Sequence, residues 1–190
     1  MARAKDVANF FIELANSDKY GDGMTNMRVN KLLYFAQGHY FARTGMPLFE
    51  DDFVAWQFGP VIREIYQRYN DFGKNPINDI DDDYSATSFT QDELDLLIDV
   101  SREYGKYSTS ELVNITHDEN SPWAKQYNST NKSKKISKNQ IREYFSSLDK
   151  LKTIDDILLH TNIPVYEKAD SSGYLILPSD YDGGEYVNAV

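Results

Sequence analysis

Residues 31–66, KLLYFAQGHYFARTGMPLFEDDFVAWQFGPVIREIY, decide the fold. The first half carries apolar residues at helical spacing and stops at Gly45, which predicts a helix with a glycine at its C-terminal end. The alternating, aromatic-rich run that follows predicts a short strand near residues 53–58. Gly59 and Pro60 come next. Because a proline in the first turn of a helix loses no hydrogen bond, we expect a further helix to begin at this pair.

The signals on either side of this stretch are also mostly helical. Residues 4–15 place apolar side chains on one broad face, and Thr25 is suited to cap the helix that precedes Gly45. Three later helices each begin with a capping box and a hydrophobic staple. The boxes are Thr90 with Glu93, Ser108 with Glu111, and Ser137 with Gln140, and the helices are expected to run to about Tyr104, His117 and Leu151. Pro122 and Trp123 open a short extra turn.

The predicted fold class is therefore mainly α, a compact helical domain with a small β component. We place this domain at residues 1–150 and a C-terminal extension at residues 151–190. The extension is expected to contain a short helix and a β-hairpin, because VYEK and YLIL are separated by the turn-forming ADSSG.

Composition excludes several classes of protein. The 190 residues include no cysteine, which rules out disulfides and thiolate metal sites. No apolar run approaches the roughly 18 residues that span a membrane, so we expect a soluble, cytoplasmic protein. A net charge of −10 opposes nucleic-acid binding. Within it, the strip NKSKKISKNQIR at residues 131–142 is basic; it is either a solvated loop and helix start or a docking patch for an acidic partner or RNA.

The sequence contains no recognisable catalytic or metal-binding constellation. Phosphate-binding glycine loops and HExxH are absent. His39 lies on an aromatic-rich helix and is expected to pack there. His117 is followed by two carboxylates, which could suggest a metal site or an acid–base pair, but neighbouring residues on a helix point in different directions, so the spacing is poor for shared ligation. The acidic run at 79–83 lacks the pattern of a calcium loop and is expected to be solvated. We therefore predict no enzyme, no cofactor and no metal.

Four motifs in a fixed order resemble a known family. They are KLLYFAQGHY at 31–40, TGMPLF at 44–49, AWQFGPV at 55–61 with Tyr66 shortly after, and L-x-x-x-TH-x-E-x-x-PW at 112–123. Together they resemble the Panacea domain, also called the SocA-like antitoxin domain, of bacterial and phage toxin–antitoxin loci. The resemblance covers roughly residues 5–148.

The resemblance implies a mostly helical, cytoplasmic domain that binds and neutralises a protein toxin encoded in the same locus. Two alternatives accompany it: an adaptor that delivers the toxin or another client to a protease, and a phage-associated interaction protein. The implied partners are a cognate toxin and, for the adaptor, a bacterial protease, while homo-oligomerisation is left open. An enzyme that uses His117 is a third hypothesis.

The motif residues have either structural or toxin-contacting roles. The set comprises Lys31, Tyr34, Gln37, Tyr40, Trp56, Gly59, Pro60, Tyr66, His117, Pro122 and Trp123. Trp56 and Trp123 are expected to fill the core. Tyr40, Tyr66 and Tyr69 are the better contact candidates, because exposed aromatic side chains dominate the energetics of interfaces.

Overall fold

The computed structural model describes residues 1–17, 23–131, 134–148 and 150–153. The chain divides into two units, Met1–Leu151 and Lys152–Val190, and every element given below belongs to the first. The short helix and the hairpin predicted for the C-terminal extension lie outside the described residues.

Helices dominate the described part of the chain, which confirms the predicted fold class. The seven helices are α1 (Ala4–Ser17), α2 (Asn26–Thr44), α3 (Arg63–Arg68), α4 (Gln91–Tyr104), α5 (Thr109–Thr116), α6 (Pro122–Gln126) and α7 (Lys138–Ser146). A two-stranded antiparallel sheet consists of β1 (Val54–Trp56) and β2 (Gly59–Val61). None of the described helices combines the length and apolar character that crossing a bilayer requires.

Helix α2 lies at the centre of the unit. Thirteen of its nineteen residues are buried, and α1, α4, α5, α7 and the sheet all pack against it. Most of this helix faces other elements, so the polar side chains that it buries must find partners inside the protein. Lys31 and Gln37 are two of these buried polar side chains.

Helix α2 packs closely against α7. An added Cβ at Gly38 would lie 2.3 Å from ring atoms of Phe145, so only glycine permits this approach. The Phe145 ring also meets Tyr34, Phe35 and His39 at centroid distances of 5.3, 6.4 and 4.9 Å. The aromatic residues of the first motif therefore form a core with α7.

Most of the predicted helix boundaries are confirmed. The Thr25 hydroxyl accepts from the Arg28 N–H at 3.2 Å, and Gly45 ends α2 in the left-handed conformation. Both halves of the capping box are present at Thr90 and at Ser108. These devices depend on residues three or four positions apart, which is why the sequence reveals them.

The third predicted capping box is wrong. Ser137 precedes α7 but makes no capping hydrogen bond with its side chain. The Gln140 side chain turns instead to α6, where it accepts from Gln126 at 3.0 Å. Helix α7 also ends at Ser146 rather than near Leu151. A tertiary partner for Gln140 has replaced the local one.

The helix predicted to begin at Gly59 and Pro60 is also wrong. These residues form β2, which pairs with β1 in the register Val54 with Val61, Ala55 with Pro60 and Trp56 with Gly59. Gly59 has a φ of +102°, which a helix cannot contain, and the chain reverses at residues 57–58. Helix α3 begins only at Arg63.

The described residues of the basic strip pack against other residues of this chain. Residues 134–136 run along β1: the Ala55 N–H donates to the Lys134 carbonyl at 3.0 Å, and the Ile136 N–H donates to the Phe53 carbonyl at 2.8 Å. Lys135 pairs with Asp52, and Lys138 pairs with Glu50. Two of the strip's cations therefore meet carboxylates of this chain.

Candidate functional site

Motif residues of α2 and of the hairpin meet where Lys31 packs against β2. Lys31 projects from α2, is 1% exposed, and its Nζ donates to the Pro60 carbonyl at 3.0 Å. Among the described residues this is the single hydrogen bond that Nζ makes. Burial lowers the pKa of Lys31 to about 7. An ammonium group has three donors, and the Pro60 carbonyl accepts from one of them.

Gly59 permits the close approach of the hairpin to this lysine. A Cβ there would lie 2.7 Å from both Lys31 Nζ and Thr116 Oγ1, and the φ of +102° independently disfavours any other residue. The close packing of the hairpin against α2 and the end of α5 therefore explains why this motif position is a glycine.

An aromatic column closes the other side of the hairpin. The His117 ring stacks on Trp123 with a centroid distance of 3.6 Å and an interplanar angle of 7°, and Trp123 stacks in turn on Tyr127 at 4.8 Å. Trp123 Nε1 donates to the Trp56 carbonyl at 2.7 Å. Pro122 opens α6 and so fixes where Trp123 points. The fourth motif is thereby tied to the third.

His117 lies in the aromatic column. Its Nε2 is buried without a hydrogen-bond partner, and its pKa is lowered by burial and then by the positive charge of Lys31. The Asp118 carboxylate accepts from the Asn120 N–H at 2.9 Å rather than from the imidazole. Within the described ranges, no three His, Asp or Glu side chains lie close enough to share a metal ion.

A cavity of about 310 Å³ opens between α2, the hairpin and α3, and we call it the hairpin cavity. Its lining residues are Met27, Asn30, Lys31, Trp56, Gln57, Phe58, Val61 and Tyr66. Trp56 and Tyr66 meet edge to face at 4.9 Å. Phe58 is 55% exposed and Met27 38% exposed. Three motif residues thus line a mostly apolar recess whose edge carries exposed apolar side chains.

The remaining motif residues lie outside the hairpin cavity. Gln37 holds the chain after α2: its Nε2 donates to the Phe49 carbonyl at 2.9 Å, and its Oε1 accepts from the Leu48 and Phe49 N–H groups. Tyr34 is buried against Phe53. Tyr40 is half-buried, and burial raises the pKa of its hydroxyl. Gln37 and Tyr34 therefore organise the core.

One predicted contact residue is buried. Tyr69 is 1% exposed, and its hydroxyl donates to Asn9 Oδ1 at 3.3 Å. Tyr69 cannot meet a partner without a rearrangement. Asp81, in the acidic run, is held by Arg68 and by the Asn9 amide at 2.8 Å and is therefore tied down rather than freely solvated.

Sequence reasoning missed Asn30 and Phe58. Asn30 Oδ1 accepts from the Ile62 N–H at 3.0 Å and so anchors the exit of β2 to α2. The sequence places Phe58 at the end of a strand, but it lies in the turn between β1 and β2, where its ring is exposed. Recognising a hairpin turn at residues 57–58 would have predicted that Phe58 is exposed. No sequence pattern indicates the role of Asn30.

Comparison with known proteins identifies the family to which this chain belongs. The family model for the SocA-like antitoxin, Panacea domain, matches residues 29–124. Antitoxin SocA of Caulobacter vibrioides is 30% identical over 129 residues, which cover 63% of this chain and 68% of that protein. No solved structure matches the chain significantly. The chain belongs to the SocA-like antitoxin family that is defined by the Panacea domain.

Proposed function

We propose that this protein is an antitoxin that neutralises a cognate protein toxin, encoded in the same locus, by binding it directly. The observation that carries the proposal is family membership, together with the position of the motif residues around the hairpin cavity. Aromatic side chains at the edge of a desolvated recess are the kind of group on which binding energy concentrates. Phe58, Trp56 and Tyr66 are arranged in this way.

The charge of the chain indicates the character of the toxin. A net charge of −10 favours a basic partner, since complementary potentials accelerate encounter and suppress wrong pairings. Toxins that act on RNA carry basic surfaces, because they must neutralise phosphates. A basic, RNA-handling toxin is therefore the partner that the charge fits best.

Neutralisation in this proposal requires no catalysis by the antitoxin. This mode is supported by the His117 ring, which stacks on Trp123 and whose Nε2 has no hydrogen-bond partner among the described residues. We expect His117→Ala to retain neutralisation in cells, provided that the variant remains folded as judged by thermal melting. If a folded His117→Ala protein failed to neutralise while still binding the toxin, a catalytic contribution would replace binding as the mechanism.

Co-expression with the neighbouring gene tests the proposal. We expect induction of that gene alone to arrest growth, co-expression with this chain to restore it, and the two proteins to co-purify. The toxin level must be measured in the same cells, with and without their cytoplasmic proteases. Rescue with undiminished toxin supports direct binding, whereas rescue that needs protease-dependent loss of the toxin points to delivery. A harmless neighbour, or no rescue, removes the antitoxin proposal.

A further inference from the structure

We propose that residues 56–60, which we call the hairpin tip, form a proton-sensitive latch: the tip closes over α2 as Lys31 gives up a proton and opens as Lys31 takes one up. The inference goes beyond the proposed function, because it concerns how the free protein responds to pH. It rests on the packing around Lys31 Nζ, on the charges that face this nitrogen, and on the contacts that hold the tip.

The hairpin tip separates Lys31 from water. The lysine side chain is 1% exposed, and its Nζ donates to the Pro60 carbonyl at 3.0 Å. A Cβ at Gly59 would lie 2.7 Å from Nζ, so no water molecule fits between this glycine and the nitrogen. Phe58, in the same tip, is 55% exposed, which places the tip between Lys31 and solvent. Exchange of a proton between Lys31 and water therefore requires the tip to move.

None of the described carboxylates compensates a charge on Lys31. The other residues that line the hairpin cavity are uncharged, and the titratable groups that face Lys31 from neighbouring elements are Tyr66 on α3 and His117 after α5. Neither a phenol nor an imidazole is a counter-ion for an ammonium group. Since a buried ammonium group without a counter-ion is costly, the closed tip favours the neutral amine, which still donates to the Pro60 carbonyl.

The direction of the pH effect follows from the protonation of Lys31 in the two states. Burial lowers the pKa of Lys31 to about 7 in the closed protein, from an ordinary 10.5. Between these two values the open tip binds a proton that the closed tip does not, so a higher pH favours closure and a lower pH favours opening. Below about pH 7 both states carry this proton, and Lys31 has no further effect. The pKa of His117 is lowered from 6.5, so its charge changes outside this window.

The hairpin tip can open while the base of the hairpin stays in place. Gln57 and Phe58 form the turn and are exposed, so few buried apolar contacts hold the turn. The base is anchored separately, since the Ala55 N–H donates to the Lys134 carbonyl at 3.0 Å. Segments with few buried contacts open locally at free energies below that of global unfolding.

The proton on Lys31 can be followed directly by NMR. In the wild-type chain labelled with ¹³C at lysine, we expect the Cε resonance of Lys31 to titrate with a midpoint near 7. Lys106 is the reference, because it is exposed and its hydrogen bond to Glu103 raises its pKa. This measurement needs no folded variant. A midpoint for Lys31 in the ordinary range of exposed lysines, above about 10, would overturn the proposal.

Hydrogen exchange measures the opening of the tip. Trp123 Nε1 donates to the Trp56 carbonyl at 2.7 Å, so the indole N–H of Trp123 reports on the tip, whereas the Ala55 amide reports on the base. After correction for intrinsic exchange, we expect the opening constant of the tip to rise on the order of fifty-fold between about pH 9.5 and about pH 7.5. The Ala55 amide should show no such change.

Two variants test whether Lys31 causes this response. Lys31→Met removes the titrating group and keeps a long side chain, so we expect the pH dependence at Trp123 to disappear, while the matched control Lys106→Met should keep it. Protection of the Trp123 indole that does not change with pH in the wild type would leave a neutral lysine without a latch. Equal changes at Trp123 and Ala55 would mean that the whole hairpin unfolds. Either result overturns the proposal, whether or not Lys31→Met folds.

Discussion

At the scale of single residues, the burial of His39 makes the stability of the fold depend on pH. Its Nε2 lies 2.8 Å from the Tyr104 hydroxyl, as expected for a packed histidine. Burial, and then the positive charge of Arg43, lower its pKa to about 4 from an ordinary 6.5. The folded protein keeps His39 neutral where the unfolded chain takes up a proton, so the stability present at pH 7 is lost as the pH falls from 6.5 towards 4.

We expect this single group to account for about 3 kcal/mol of the stability lost between about pH 7 and about pH 4. Urea unfolding of the wild type and of His39→Gln across that range measures it. Glutamine cannot titrate but can still reach the Tyr104 hydroxyl, so the variant should show a flatter pH dependence. Parallel curves for the two proteins would mean that His39 is not held neutral.

Gly59 supplies a second prediction at this scale. Gly59→Ala places a methyl group 2.7 Å from Lys31 Nζ on a backbone of positive φ, so we expect it to destabilise the fold by about 3 kcal/mol. Gly45→Ala is the matched control: Gly45 also has a positive φ, but a methyl group added there would meet nothing within 4 Å. We expect this control to cost about 1 kcal/mol. Equal costs in thermal unfolding would show that crowding at Lys31 is unimportant.

At the scale of elements, the helix caps can be tested against one another. The Thr90 side chain accepts from the Glu93 N–H at 3.3 Å, and the Glu93 carboxylate accepts from the Thr90 N–H at 2.9 Å. We expect Thr90→Ala to lower the free energy of unfolding by about 1 kcal/mol. Ser137→Ala should have almost no effect, because Ser137 makes no capping bond. Denaturant melts that rank the two variants the other way would contradict this assignment of caps.

At the scale of the whole molecule, the role of residues 153–190 can be tested by truncation. The sequence allows two roles: a selector of the partner, or a closing hairpin that pairs with the strand near Phe53. Within the first unit, Val54 already pairs with Val61 on one side and with Lys135 on the other. Because a strand has only two edges, β1 offers no place there for a further strand.

We therefore expect the chain truncated after Lys152 to melt cooperatively, with its helical content retained by circular dichroism. Loss of toxin binding by this folded protein would identify the extension as the selector of the partner. Loss of the cooperative transition would show instead that the extension completes the core, and our expectation would be wrong.

The sequence by itself determined the mainly helical fold class, several helix starts and the family. Thr25, Thr90 and Ser108 were identifiable because a cap and its partner lie within one turn of each other. The motifs were identifiable because their residues and their order can be compared with a family without knowing which residues are in contact. The same local reasoning failed at Ser137, where Gln140 binds Gln126 of another helix.

Only the tertiary structure decided the candidate site. Lys31 and Pro60 are 29 positions apart, and Trp56 and Trp123 are 67 positions apart, so no local pattern shows that they meet. Gly59 and Pro60 satisfy the local rules for a helix start equally well as for a strand. In the structure they form β2, where the Pro60 carbonyl accepts from Lys31 Nζ and a Cβ at Gly59 would lie 2.7 Å from that nitrogen. The site therefore depends on contacts between residues far apart in the sequence, which local rules do not include.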